Sequence, residues 1–114
     1  MTYKACFHVD LNDPNRLQLA LNNVANFLNA KPEGKSVVVV NGPAVNLFRQ
    51  GSADEVASRV RELGERGVGF QVCNNALHAF SIKEEELLPQ CEVVAAGIVA
   101  LIDLQNNGFA YIKP

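Results

Sequence analysis

Cys73 stands where the apolar run "VGFQVC" stops and the polar pair Asn74-Asn75 begins. A cysteine inside a buried strand is a small apolar residue, but one at a strand end followed by a helix is placed for reaction. The free backbone N–H groups and the macrodipole of a helix start favour the thiolate. A thiolate is the nucleophilic form of cysteine and the form that accepts a sulfane sulfur as a persulfide. Position alone leaves the alternative of a packed strand-end cysteine open.

The other candidates occupy similar places. His8 closes the run "YKACFHV" and could act as a base or steady a thiolate; it could equally be a strand-end histidine bonded to a loop. Asn41 and Gly42 end the valine run "KSVVVVNG", and Gly97 follows Ala95-Ala96. Asn41, Asn74 and Asn75 supply amide donors, although asparagine also suits turns and caps with no further role. His78 lies one turn into the segment after Cys73 and reads more simply as a surface residue. Cys6 sits in mid-strand and reads as core. Cys91 follows Pro89-Gln90 in what reads as a loop, and nothing in the sequence brings it to Cys73 as a resolving thiol.

These residues depend on elements to position them. Five short apolar runs read as strands: 3–9, 35–42, 68–73, the neighbourhood of 92–95, and 109–113. Asp13 is a plausible N-cap and Pro14 suits a first helical position. Leu17, Leu21, Val24 and Leu28 then recur at helical spacing over 14–30. Ser52 with Glu55, and Ser81 with Glu84, have capping-box spacing. Val56, Val60 and Leu63 form the stripe of a second long helix. The piece "NNALHAF" reads as a short helix with Ala76, Leu77 and Phe80 inward, and 97–107 as a last helix packing Ile98, Leu101 and Ile102.

Strand and helix alternate without a hairpin signal, so the expected fold is α/β: a single three-layer α/β/α domain over 1–114 with a parallel sheet and strand order open. In such sheets ligands bind outside the carboxyl ends of the strands. His8, Asn41, Gly42, Cys73, Asn74 and Gly97 should therefore share one edge. Cys73 should be the most readily alkylated thiol, with a pKa below the free value of about 8.5, and Cys6 should react only after unfolding.

Composition narrows the function. The chain has 114 residues, net charge −2 and 19% charged residues, below the roughly 25% of an average soluble domain. Its ten Lys and Arg are scattered, and Arg59, Arg61 and Arg66 alternate with Glu62 and Glu65, so no patch tracks phosphates and nucleic acid is an unexpected partner. No run reaches the about 18 apolar residues of a membrane span, and the N-terminus does not read as a signal peptide. A cytoplasmic location and reduced thiols follow as the expectation, three cysteines being a poor disulfide framework. There is no phosphate-binding glycine loop for a nucleotide cofactor and no zinc spacing among Cys and His, so neither cofactor nor metal is expected. Sparse charge also predicts apolar surface left outside, with Leu47 and Phe48 as the clearest patch, and hence an oligomer.

Four stretches carry a resemblance over essentially the whole chain: "YKACFHVD" (3–10), "VVVVNGPAV" (37–45), "GVGFQVCNNAL" (67–77) and "AAGIVALIDLQNNGFAYIKP" (95–114). In these the chain resembles the DsrE/DsrF-like family of small proteins related to sulfur-relay subunits. The resemblance implies a five-stranded parallel sheet, assembly into homotrimers or homohexamers, and a Cys73 that matches the persulfide-carrying cysteine of the relay members. It also implies a sulfur donor or acceptor protein as partner.

Three functions therefore compete. One is sulfur handling on Cys73, with Asn74, Asn75 and the helix start stabilising anionic sulfur and His8 tuning protonation. The second is a non-catalytic oligomeric module that holds a small ligand at the strand-end crevice. The third, a different thiol enzyme such as a hydrolase, lacks an evident oxyanion motif.

Overall fold

A computed structural model describes residues 2–114. The strands are β1 (Lys4–Val9), β2 (Lys35–Val40), β3 (Gly69–Cys73), β4 (Cys91–Val94) and β5 (Ala110–Ile112); the helices are α1 (Pro14–Ala30), α2 (Asp54–Glu65), α3 (Asn74–Ala79) and α4 (Gly97–Asn106). All strand pairs are parallel and the order is β4-β3-β2-β1-β5.

That order dictates the layers. From β1 to β4 the chain steps one strand at a time in one direction, so right-handed crossovers put α1, α2 and α3 on one face. The last connection must return across the whole sheet to reach the far side of β1, and α4 makes it over the opposite face. Between β1 and β5 the connections diverge to the two faces, which makes the carboxyl ends of these strands a topological switch point.

The first face holds the main core. Phe7, Val38, Val40, Phe70 and Val72 alternate inward from the strands and meet Leu17, Leu21 and Val24 of α1 and Val56, Val60 and Leu63 of α2. Asp13 caps α1, its carboxylate accepting from the N–H groups of Asn15 and Arg16, with Pro14 in the first turn. The second face is smaller: Cys6, Val39 and Leu101, with Val37, Leu104 and Phe109 against them.

Several expectations change. Leu47 and Phe48 are buried, at 7% and 0% exposure, and form no surface patch. Residues Gly42–Phe48 are a 3-10 helix in which Ala44, Val45, Leu47 and Phe48 face inward. Pairs three apart share a side in a 3-10 helix, and a run of seven residues is too short for its period to show which side is buried. The Phe48 ring lies 6.2 Å from that of Phe70.

In α4 the buried residues are Gly97, Ala100 and Leu101, while Ile98, Val99 and Ile102 are each more than half exposed. The helix is turned away from the expected Ile98–Leu101–Ile102 face because Gly97 itself is the point of closest contact with the sheet. Phe80 likewise lies outside, beyond the end of α3. The cap of α2 is Ala53, not Ser52, and has no side-chain hydrogen bond. Ser81 adopts a left-handed φ of 55°, and the turn after it is closed instead by Glu86, which accepts from the Lys83 N–H. Cys91 opens β4 and is not in a loop.

Candidate functional site at the carboxyl edge

Cys73 is the last residue of β3 and the N-cap of α3, so Asn74 and Asn75 occupy the first turn of that helix. The register of β2 with β3 ends at Val40 opposite Val72, which leaves Asn41 beside Cys73 one step further along. Strand alternation turns Asn41 toward the α4 face, while Cys73 at the strand end meets Gly97 of α4 and also packs into the main core cluster. Gly97 closes over them. A Cβ on Gly97 would lie 3.0 Å from the Asn41 Cβ, 3.4 Å from its Nδ2 and 3.4 Å from the Cys73 Cβ. The absence of a side chain here lets the first turn of α4 rest on the ends of β2 and β3. Cys73 is consequently only 7% exposed, more enclosed than a bare strand end would suggest. Neither α3 nor α4 has a side-chain cap, so the N–H groups of both first turns lack side-chain partners.

His8 lies two strands from Cys73 and is 8% exposed. Its Nε2 is 2.8 Å from Asn41 Oδ1 and its Nδ1 2.7 Å from the Tyr111 hydroxyl. No hydrogen bond joins His8 to Cys73 among the described residues; Asn41 stands between them. Gly42 has φ +56°, and a Cβ there would meet the Asp10 carbonyl oxygen at 3.1 Å. This left-handed glycine lets the loop after β2 close on the loop after β1, where the Asn41 N–H donates to the Val9 carbonyl.

At the switch point Lys113 donates to Asp10 at 2.6 Å, and this bond chiefly holds the Asp10 carboxyl below its ordinary pKa. A cavity of about 10 Å³, lined by His8, Asp10, Arg16 and Lys113 among others, has room for about one water. Tyr111, Asp10 and Lys113 are site neighbours that sequence reasoning missed. Tyr111 lies in the run 109–113 that reads as a strand, and only the crossover over the sheet brings β5 beside β1.

The other thiols are elsewhere, and all three are free. Cys73 is in register with Val94, so Cys91 lies three residues back along β4, roughly 10 Å at about 3.3 Å per residue, and on the opposite face. That separation excludes a disulfide between them within one chain. Burial pushes the Cys91 pKa up to about 12 and raises that of Cys6. His78, at the exposed end of α3, has no place in the cluster. Among the described residues no group of three or more His, Cys, Asp or Glu could hold a metal ion. No helix there is long and apolar enough to cross a membrane.

The family model described as the DsrE/DsrF-like family matches residues 4–114. The chain belongs to the DsrE/DsrF-like family. A similar solved structure is the protein of unknown function MTH1491 from Methanobacterium thermoautotrophicum, 34% identical, covering 98% of this chain and 99% of that one, with a TM-score of 0.92. The fold is shared with ychN of E. coli (12% identity, 100% of both chains, TM-score 0.82) and with BT1422 of Bacteroides thetaiotaomicron (13% identity, 97% and 94%, TM-score 0.74). No curated protein matches. Family membership confirms the expected kinship and the three-layer parallel fold.

Proposed function

We propose that the protein is a sulfur carrier of the cytoplasm that accepts sulfane sulfur on Cys73 and passes it on. The observation that carries the reading is the convergence at Cys73 of two helix starts, α3 directly after it and α4 at Gly97, neither with a side-chain cap. Helix starts beside a thiol in general favour its anionic forms, thiolate and persulfide alike. Membership of a family related to sulfur-relay subunits supports the same reading.

The chemistry needs no oxidant. The Cys73 thiolate attacks the outer sulfur of a donor persulfide, R–S–SH. A bond forms from Sγ to that sulfur, the donor S–S bond breaks, and its electron pair leaves as R–S⁻. Discharge is the same step in reverse, with an acceptor thiolate attacking the outer sulfur and Cys73 leaving as thiolate. Cys6 and Cys91 lie too far away to resolve the persulfide as an internal disulfide, so the acceptor is an external thiol, that of a partner protein or a small molecule. In this reading Asn41, Asn74 and Asn75 supply amide donors, Gly42 and Gly97 admit close backbone approach, and His8 tunes protonation from beyond Asn41.

The same proposal includes assembly into a homotrimer or homohexamer. Its support is α4, where Ile98, Val99 and Ile102 are exposed on a helix that is apolar on almost every side, with exposed Tyr111 and Ile112 on the edge strand β5. The competing small-ligand module has room for about one water beside His8 and Asp10, but a groove of about 310 Å³ along α4, lined by Ala95, Ala96 and Val99 among others, leaves it a place.

Incubation with polysulfide followed by intact-mass measurement tests the carrier. The wild type should gain one sulfur that is lost with dithiothreitol and absent in Cys73→Ser. Equal loading of Cys73→Ser would overturn it.

A further inference from the structure

We infer that Tyr111 and His8 are positioning residues for Cys73: they hold the Asn41 carboxamide so that its N–H₂ group, not its oxygen, is offered to anionic sulfur. The inference rests on the proposed role of Cys73 for its biological meaning, but not for its geometry.

Tyr111 and His8 come from β5 and β1, Asn41 directly follows β2 and Cys73 ends β3, four neighbouring strands; alternation puts the first three on the α4 face, and Cys73 meets that face at Gly97. The contacts run in one direction. An amide oxygen only accepts, so Asn41 Oδ1 requires the proton on His8 Nε2. In the neutral ring Nδ1 is then an acceptor, and the Tyr111 hydroxyl donates to it at 2.7 Å. The Tyr111 hydroxyl can donate or accept, so its part is to anchor the ring through Nδ1, and it is the Nε2–H of that anchored ring that holds the amide oxygen. What remains is Asn41 Nδ2. It lies 3.4 Å from the Cβ position of Gly97, and the Cys73 Cβ lies at the same distance from that point, so both border the space over Gly97; among the described residues no hydrogen bond joins Asn41 to the Cys73 thiol itself, and the donor is free for an added outer sulfur.

The orientation also survives protonation of the ring. An imidazolium still donates from Nε2 to Oδ1, while its Nδ1–H donates to the Tyr111 oxygen. Without the ring the carboxamide could turn and present Oδ1, which repels a thiolate or persulfide. His8 and Tyr111 are the titratable groups of the file besides the thiol. Asp10, whose charge is felt at His8, is held by Lys113, and the first turns of α3 and α4 carry no acidic side chain.

The test is the rate of Cys73 alkylation by iodoacetamide, mapped by peptide, across the pH range of the thiol. Free N-acetylcysteine in the same solution is the reference thiol, and thermal unfolding is followed alongside. Asn41→Ala removes the donor and should slow Cys73 about 10-fold at neutral pH, the scale of a hydrogen bond to a charged group. Tyr111→Phe removes one hydroxyl from a 41% exposed residue and should slow it about 3-fold, a partial loss of orientation. Cys91, held protonated by burial, should stay essentially unlabelled in every variant. The nitrogen-15 shifts of His8 should report a proton on Nε2. Variants that change thermal stability but leave the Cys73 rate and its pH dependence untouched would reduce the file to structural support, and a neutral ring protonated on Nδ1 would overturn the chain of donors. Unchanged rates with normal sulfur loading sink the positioning role and leave the carrier standing; slowed rates in a protein that never loads sulfur do the reverse.

Discussion

The face of the sheet under α1, α2 and α3 and the face under α4 share the same strands and are filled differently. Phe7, Val38, Val40, Phe70 and Val72 point one way into a continuous apolar core. Their chain neighbours His8 and Asn41 point the other way, under one ten-residue helix that buries little more than Gly97, Ala100 and Leu101, and Cys73 at the strand end touches both sides. Consecutive residues thus serve two purposes. The first face supplies most of the burial that offsets chain entropy. The second face carries hydrogen-bonded polar groups around a thiol and leaves its apolar surplus outside. The strand period of two makes such a division possible within a small chain.

The division is most open to failure at Phe48, which is fully buried on the core side. Phe48→Ala should lower the unfolding free energy by about 3–5 kcal/mol, the range for deleting a core aromatic ring. Chemical denaturation measures it, and a loss under 1 kcal/mol would deny that this face carries the stability. Cys91 offers a second, slightly smaller effect on the same side. Its folded pKa is raised from 9.0 to about 12, so the fold favours the protonated thiol. That contribution is complete below the unfolded value and is lost as pH rises from about 9 to about 12. Up to about 4 kcal/mol is at stake, three pKa units at 1.36 kcal/mol each. Comparing wild type with Cys91→Ala over that window isolates the term, and parallel alkaline curves would remove Cys91 from the account. The smallest effect on stability belongs to the second face. Ile102→Ser should change monomer stability by no more than about 0.5 kcal/mol, yet lower the sedimenting mass if α4 is the interface. Lost stability with unchanged mass would reverse the assignment of the two faces.

Much of this arrangement was legible without coordinates. The run lengths, the Asp13-Pro14 start of α1, the α1 and α2 stripes and the four valines of β2 each carry their own local reason, so the elements appeared nearly at their true bounds. The gathering of His8, Asn41, Gly42, Cys73, Asn74 and Gly97 at one edge needed only the statement that the strands are parallel. The misreadings share a cause. Leu47 and Phe48 lie in a seven-residue run too short for periodicity to mark its buried side, and the rotation of α4 depends on a glycine whose partner residues, Asn41 and Cys73, stand at the ends of β2 and β3.

For this protein, then, the amino-acid order by itself determined which segments are strands and helices, which residues end the strands, and the family to which the chain belongs. Those properties come from short-range periodicity and from motifs contiguous in the chain. Tertiary structure alone decided that Tyr111 would meet His8 across 103 positions, that Asn41 would stand between His8 and Cys73, and that Cys91 would lie on the other face from Cys73. Such contacts follow from strand order. The order turns on one long crossover, which returns β5 to the side of β1 and leaves no periodic trace in the residues it brings together.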